Sequence, residues 1–203
     1  MSPPEFAGLK ALVTGGVSGI GPATARLPAV RGARVACLDL IPDDVPEPLI
    51  GIRADVADGA SVRAAVDEVA RLLDGIDVLV VNTCSVAATA GLPDRAPYSA
   101  TKSAVLALPR ATAADLVHSG IRENCVNPGT ADAPWIGRLL DRAAAPEAER
   151  AALCARQPMG PLASADEVAA AVVHLASPSS GSTTGTALAV DGGMEGPRIR
   201  PRA

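Results

Sequence analysis

An α/β fold, a parallel sheet with helices on both faces, is what this sequence predicts, and three observations predict it. Short apolar runs alternate with segments of helical period along the whole chain. The first such run ends in a glycine-rich turn that opens directly into a helical segment. Hydrophobic residues make up 48% of the 203 positions and aromatic residues only 1%, so the core is built of Ala, Val, Leu and Ile, which let helices pack closely on strands.

The elements follow in order. Leu9 to Thr14 is a strand, and Ile20 to Arg31 is a helix closed by Gly32. Ala33 to Asp39 reads as a second strand, Pro42 to Pro48 as a loop, and Leu49 to Arg53 as a third strand. Asp58 to Leu73 has helical period, with Asp58 or Ser61 as N-cap and Gly75 as the stop. Ile76 to Val81 is the next strand; Gly91, Pro93 and Pro97 mark a loop, and Tyr98 to Val117 is helical. Ile121 to Val126 is a strand ended by Asn127-Pro-Gly129. Trp135 to Arg156 forms one or two short helices, broken near Pro146. Ser164 to Ala176 is a further helix with a capping box from Ser164 and Glu167, and Thr186 to Val190 is the last strand. One domain over 1–203 is expected, with residues 134–160 as a lid over the substrate and 195–203 as a basic tail.

Composition excludes several roles. A net charge of −4 and a pI near 5.2 argue against a nucleic-acid surface. No run reaches the roughly twenty apolar residues of a membrane span, and Met1 to Phe6 lacks the pattern of a signal peptide, so a cytoplasmic protein is expected. Cys37, Cys84, Cys125 and Cys154 are widely spaced and read as free thiols, and His118 and His174 lack ligand-like neighbours, so no metal site is expected.

The remaining motifs carry chemistry. Gly15, Gly19 and Gly21 lie between strand and helix, where small residues allow a tight turn and the helix N-terminus attracts a pyrophosphate. Asp39 ends the second strand, placed to accept ribose hydroxyls and repel a 2′-phosphate, which favours NAD over NADP. Asp55-Val56 reads equally as an adenine contact or as an acid opening a loop. Tyr98 and Lys102, four apart, share one face of a helix. A free phenol is a poor base at neutral pH, and bringing one from about 10 to about 7 takes roughly 4 kcal/mol, which an adjacent ammonium helps supply. Ser85 is placed to align a substrate oxygen.

Thr14-Gly15, Gly19-Ile20-Gly21, Asp39, Asp55-Val56, Ser85, Tyr98/Lys102 and Asn127-Pro-Gly129 together resemble the short-chain dehydrogenase/reductase family, from about Leu9 to Gly193. The resemblance implies a Rossmann-type, doubly wound parallel sheet and an NAD-dependent exchange between a secondary alcohol and a ketone. It implies Tyr98 as acid/base, Lys102 as phenolate stabiliser and ribose anchor, and Ser85 as the orienting hydroxyl. Ser18 and Ile20 join the glycines at the cofactor, as do Pro128, Gly129 and Thr130. Asn124 to Thr130, Arg156-Gln157 and Asp191-Gly-Gly193 are most similar to members acting on small hydroxy acids and sugar acids, the type 2 hydroxybutyrate and 2-keto-3-deoxy-fuconate dehydrogenases. Arg95, Arg156 and, less directly, Arg138 match arginines that face a substrate carboxylate there, although solvated arginines are the plain alternative.

The chain also departs from that pattern. Ile76 to Val81 resembles the family's fourth strand and Asn82 to Ser85 the end of its fifth. The turn, the helix carrying a catalytic asparagine and the return strand between them are missing, on the order of fifty residues, where a parallel crossover alone needs a dozen or more. The expected sheet is therefore one strand and one helix short, with one strand serving two positions, and a homo-oligomer would form through a weakened interface. Pro28 and Pro109 fall inside helices at a cost of about 3 kcal/mol each, and Glu123 needs a partner inside an apolar strand. Ala131 and Ala133 replace a branched residue and a threonine. The alternative to an active enzyme is an impaired relative that only binds dinucleotide, or a shortened product that folds poorly.

Overall fold

The computed structural model describes residues 3–77 and 79–197. In chain order the elements are β1 (Lys10–Thr14), α1 (Gly21–Val30), β2 (Arg34–Asp39), β3 (Ile50–Arg53), α2 (Gly59–Leu73), β4 (Leu79–Thr83) and α3 (Ala96–Leu116). They continue with β5 (Arg122–Pro128), β6 (Ala131–Asp132), α4 (Pro134–Leu140), α5 (Pro146–Ala155), β7 (Ala163–Ser164), α6 (Ala165–Ala176) and β8 (Ala187–Val190). Every strand pairing is parallel, as the alternation of strands and helices requires.

The strands run buried residues to both faces. In β2, Val35 and Cys37 pack on Ala25 of α1, whereas Ala36 and Leu38 pack with Ala65, Val69 and Leu73 of α2. In β5, Val126 packs against Val168, Val172 and Leu175 of α6, while Glu123, of opposite parity, meets α3 through Thr112. One layer thus holds α1 and α6, joined by the Arg26–Asp166 ion pair, and the other holds α2 and α3. The helix ends follow their letters: Asp58 caps α2 through the Ala60 N–H, and Ser164 and Glu167 make the reciprocal capping box of α6. Pro28 sits in the last turns of α1 and Pro109 inside α3, and neither divides its helix.

Among the described residues the strands form two three-stranded sheets, in the orders β1-β2-β3 and β4-β5-β8, beside the short pair β6-β7. The double use of one strand is visible in its bonds. The Asp77 N–H bonds the Lys10 carbonyl at 3.1 Å and its carboxylate accepts the Lys10 N–H at 2.7 Å, so this segment starts against β1. From Leu79 on it pairs with β5, Leu79 with Arg122 through Thr83 with Val126.

Glu123 finds its partners at this second sheet: the Asn82 Nδ2 donates to it at 2.9 Å and the Thr112 hydroxyl donates to its other oxygen. The missing helix leaves α3 thinly covered, with Pro109 and Ala113 its only buried residues. α4 and α5 share a small core of Ile136, Leu153 and Leu162. The last residues of the basic tail, 198–203, lie outside the described residues.

Candidate active site

The turn between β1 and α1 is built for a close approach. Gly15 and Gly19 take φ of +68° and +67°, and a Cβ on Gly21 would stand 1.8 Å from the Gly15 carbonyl oxygen, so only glycine fits there. No side chain caps α1 at Ile20, and Pro22 occupies the first turn, which leaves the N-terminal amides that Ser18 to Gly21 present free of a side-chain competitor. Asp39 reaches this turn from the end of β2, its carboxylate accepting the Val17 N–H at 3.2 Å and the Ile41 N–H at 3.3 Å. A cradle without a Cβ, open amides and a carboxylate at its rim fit a dinucleotide. Asp55 turns onto its own loop, accepting the Ala57 N–H at 2.9 Å, and Val56 beside it is exposed.

The second sheet carries the reactive side chains. Ser85 follows β4 and is buried, its hydroxyl accepting the Ala87 N–H at 3.2 Å and so capping the short turn Val86–Ala88. Among the described residues that hydroxyl donates to nothing, which leaves its proton for a bound oxygen. Tyr98 stands in the first turns of α3, 45% exposed, and Lys102 Nζ lies 5.8 Å from its ring centroid. The same ammonium donates to the Thr83 carbonyl at 2.9 Å. The structure therefore sets Lys102 beside Tyr98 and against the end of β4, with Ser85 two residues beyond Thr83.

Pro128, Gly129 and Thr130 form the neighbouring strand end. The Gly129 N–H bonds the Val190 carbonyl at 3.0 Å, and a Cβ on Gly129 would meet Gln157 Oε1 at 2.7 Å. Gln157 Nε2 holds the Thr130 carbonyl at 3.3 Å, a tether whose role sequence alone did not assign. Nor did sequence give the partner of Asn127, whose Nδ2 donates to Glu195 at 2.9 Å, or of Cys84, whose thiol donates to the Lys102 carbonyl at 3.1 Å. Their neighbours are backbone atoms or residues far along the chain, which no local pattern announces.

The arginines separate. Arg95 begins α3, lies 6.0 Å over the Trp135 ring and lines a cavity of about 580 Å³ with Thr89, Leu92, Ser99 and Ser103. Tyr98 and Lys102 are not among that lining, so the cavity flanks the reactive face instead of forming it. Arg138 lies in α4 and Arg156 caps α5, and among the described residues neither makes a side-chain hydrogen bond or ion pair. All four cysteines are free; burial pushes the Cys37 and Cys125 thiols up to about 11 each, with the Asp39 carboxylate adding to the first.

Comparison with known proteins agrees with this geometry. Residues 9–83 match the family model described as short chain dehydrogenase, and residues 80–195 match the model described as Enoyl-(Acyl carrier protein) reductase. The chain is 35% identical to cis-4-hydroxycyclohexanecarboxylate dehydrogenase of Sinomonas cyclohexanicum over 247 residues, covering 93% of this chain and 97% of that one. It is 41% identical to 2-keto-3-deoxy-L-fuconate dehydrogenase of Xanthomonas campestris over 116 residues, 56% of this chain and 39% of that one. The fold matches ligand-free aldohexose dehydrogenase of Thermoplasma acidophilum with a TM-score of 0.89 at 24% identity, covering 99% of this chain and 100% of that one. The chain belongs to the short-chain dehydrogenase/reductase family, oxidoreductases of alcohols and ketones that use a nicotinamide dinucleotide. The 247-residue alignment is longer than the 203-residue chain, so that relative holds residues inside the span that this chain lacks. The two family models meet at residues 80–83, within β4.

Proposed function

We propose that this protein is an NAD-dependent dehydrogenase that interconverts a secondary alcohol and a ketone on a small hydroxy acid or sugar acid. The observation that carries the reading is the joint of β4 and α3, where Lys102 lies beside the Tyr98 ring and Ser85 keeps a free hydroxyl proton. Gly15, Ser18, Gly19, Ile20 and Gly21 hold the pyrophosphate, Asp39 the adenosine ribose, and Asp55 and Val56 border the adenine. Lys102 anchors the second ribose, and Pro128, Gly129 and Thr130 border the nicotinamide. When bound, NAD supplies the acceptor for the hydride that leaves the alcohol carbon.

The chain's own residues manage the proton. Tyr98 takes the hydroxyl proton as the alcohol is oxidised and returns it in reduction, Lys102 favours the phenolate by its charge, and Ser85 donates to the substrate oxygen. Asp39 favours NAD because a carboxylate accepts from ribose hydroxyls and repels a 2′-phosphate. The acid-bearing substrate is supported by the names of two relatives, a hydroxycyclohexanecarboxylate and a ketodeoxyfuconate dehydrogenase, and by the guanidinium of Arg95 at the flanking cavity. Arg138 and Arg156 on α4 and α5 bring further positive charge if residues 134–160 close over the substrate as a lid.

The test begins with binding. Trp135 is the only tryptophan, so energy transfer from it to added NADH reports the complex. A screen of hydroxy acids for NADH formation then follows, with Tyr98→Phe expected to lower kcat by at least about a hundredfold. Turnover that survives that substitution unchanged rules the mechanism out.

A further inference from the structure

We infer that Cys84 is a positioning residue for Lys102: its thiol donates to the Lys102 carbonyl oxygen at 3.1 Å while Lys102 Nζ donates to the Thr83 carbonyl oxygen at 2.9 Å, closing a ring from strand end to helix and back. The inference rests on the role given to Lys102 above.

The need for such a ring comes from the packing of α3. α3 is 21 residues long, yet its buried residues, Pro109 and Ala113, both lie in its second half. The half that carries Tyr98 and Lys102 has no buried side chain to fix it by packing. Its placement falls to hydrogen bonds with the segment 83–88: the two of the ring, and Ser103 Oγ to the Ala88 carbonyl at 3.3 Å. A carbonyl oxygen has two lone pairs, so the Lys102 carbonyl can take the thiol while it serves the helix ladder. Cys84 is 3% exposed, so water does not compete for that bond.

The ring acts on the lysine from both ends. A free lysine side chain spreads over many rotamers, and the Thr83 carbonyl selects among them for Nζ. That selection is useful only while the backbone of Lys102 keeps its height against β4. The thiol fixes that height, because Cys84 is the residue that follows Thr83 and its own N–H is tied to the Val126 carbonyl at 2.9 Å. Cys84 touches no substrate in this account; it acts through Lys102.

The chain contains only two lysines, Lys10 and Lys102, so protein grown on lysine labelled with carbon-13 at Cε gives two signals, which a Lys10→Arg variant assigns. Cys84→Ala is expected to shift the Lys102 signal and leave that of Lys10 in place, while Cys84→Ser, which keeps a donor, restores the parent spectrum. If the parent turns over, kcat is expected to fall about fivefold in Cys84→Ala, the weight of one net hydrogen bond, and to recover in Cys84→Ser. Should Cys84→Ala fail to fold, Cys84→Val, close to cysteine in size and without a donor, takes its place. An unmoved Lys102 signal overturns the inference, and so does a serine variant as altered as the alanine one. A parent without turnover defeats the proposed function alone, since the spectra still decide the ring.

Discussion

Asp39 and the cysteines allow two checks on single side chains. The Asp39 carboxylate stands at the rim of the glycine turn, so Asp39→Ala is expected to lower the kcat/KM ratio of NAD to NADP by about tenfold or more, the weight of a charge-assisted hydrogen bond. Steady-state rates with the two cofactors measure it. Cys37 and Cys125, with thiols pushed up to about 11 by burial, are expected to resist alkylation at neutral pH in the folded protein and to react on unfolding; mass spectrometry after iodoacetamide treatment reads this site by site. Most of the reactive set was legible at this scale because its members are marked by letter and spacing: the glycines by the turn they must make, Tyr98 and Lys102 by their four-residue separation. What was not legible is the partner of each. The Thr83 carbonyl that takes Lys102 Nζ has no letter of its own, and the Glu195 carboxylate lies 68 residues from the Asn127 that donates to it.

Elements were legible where their ends are chemical and less so where they depend on register. The capping box at Ser164 and Glu167 and the stop after α2 follow from local bonding, Asp74 and Gly75 taking φ of +62° and +110°. β4 was legible in part: Ile76 to Val81 has the letters of a strand, and pairing with β5 carries the element on through Thr83. The need of Glu123 for a partner was plain from its apolar neighbours, yet which residues answer it depends on that pairing. Glu123→Ala leaves the Asn82 amide and the Thr112 hydroxyl without their acceptor and is expected to cost about 2–4 kcal/mol in urea unfolding. Glu123→Gln, which keeps one acceptor, is expected to cost less.

At the scale of the molecule the divided sheet has its own signature. The Gly15 N–H bonds the Leu38 carbonyl, so alternate residues of β1 face β2 and Thr14 faces away; the Cys84 N–H bonds the Val126 carbonyl, so Val81 and Thr83 face away from β5. The amides of Thr14, Val81 and Thr83 are expected to exchange with deuterium faster than those of Val13 and Asn82, which heteronuclear NMR resolves. On the opposite layer the N-terminal segment is pinned to the end of α6: Glu5 accepts from the Ser177 hydroxyl and from Arg31. Those bonds, the serine's first, hold its carboxyl below the usual range. A carboxyl lowered on folding adds stability above its unfolded value near 4.5, and that share is lost as pH falls through the lower folded value. Glu5→Gln is therefore expected to flatten the acid limb of the melting temperature against pH below about 5.

The division of the sheet also divides the ligand. The turn at Gly15 to Gly21 and Asp39 belong to the first sheet, whereas Ser85, Tyr98, Lys102 and Thr130 belong to the second. A dinucleotide bound as proposed would lie across both sheets, and its binding free energy would add to the stability of the folded chain. AMP, which reaches only the first half, has no such leverage. NAD is expected to slow exchange at Thr14 and Thr83 together, and AMP at equal saturation to slow it at Thr14 alone. A cofactor so bound would tie the two sheets to one another.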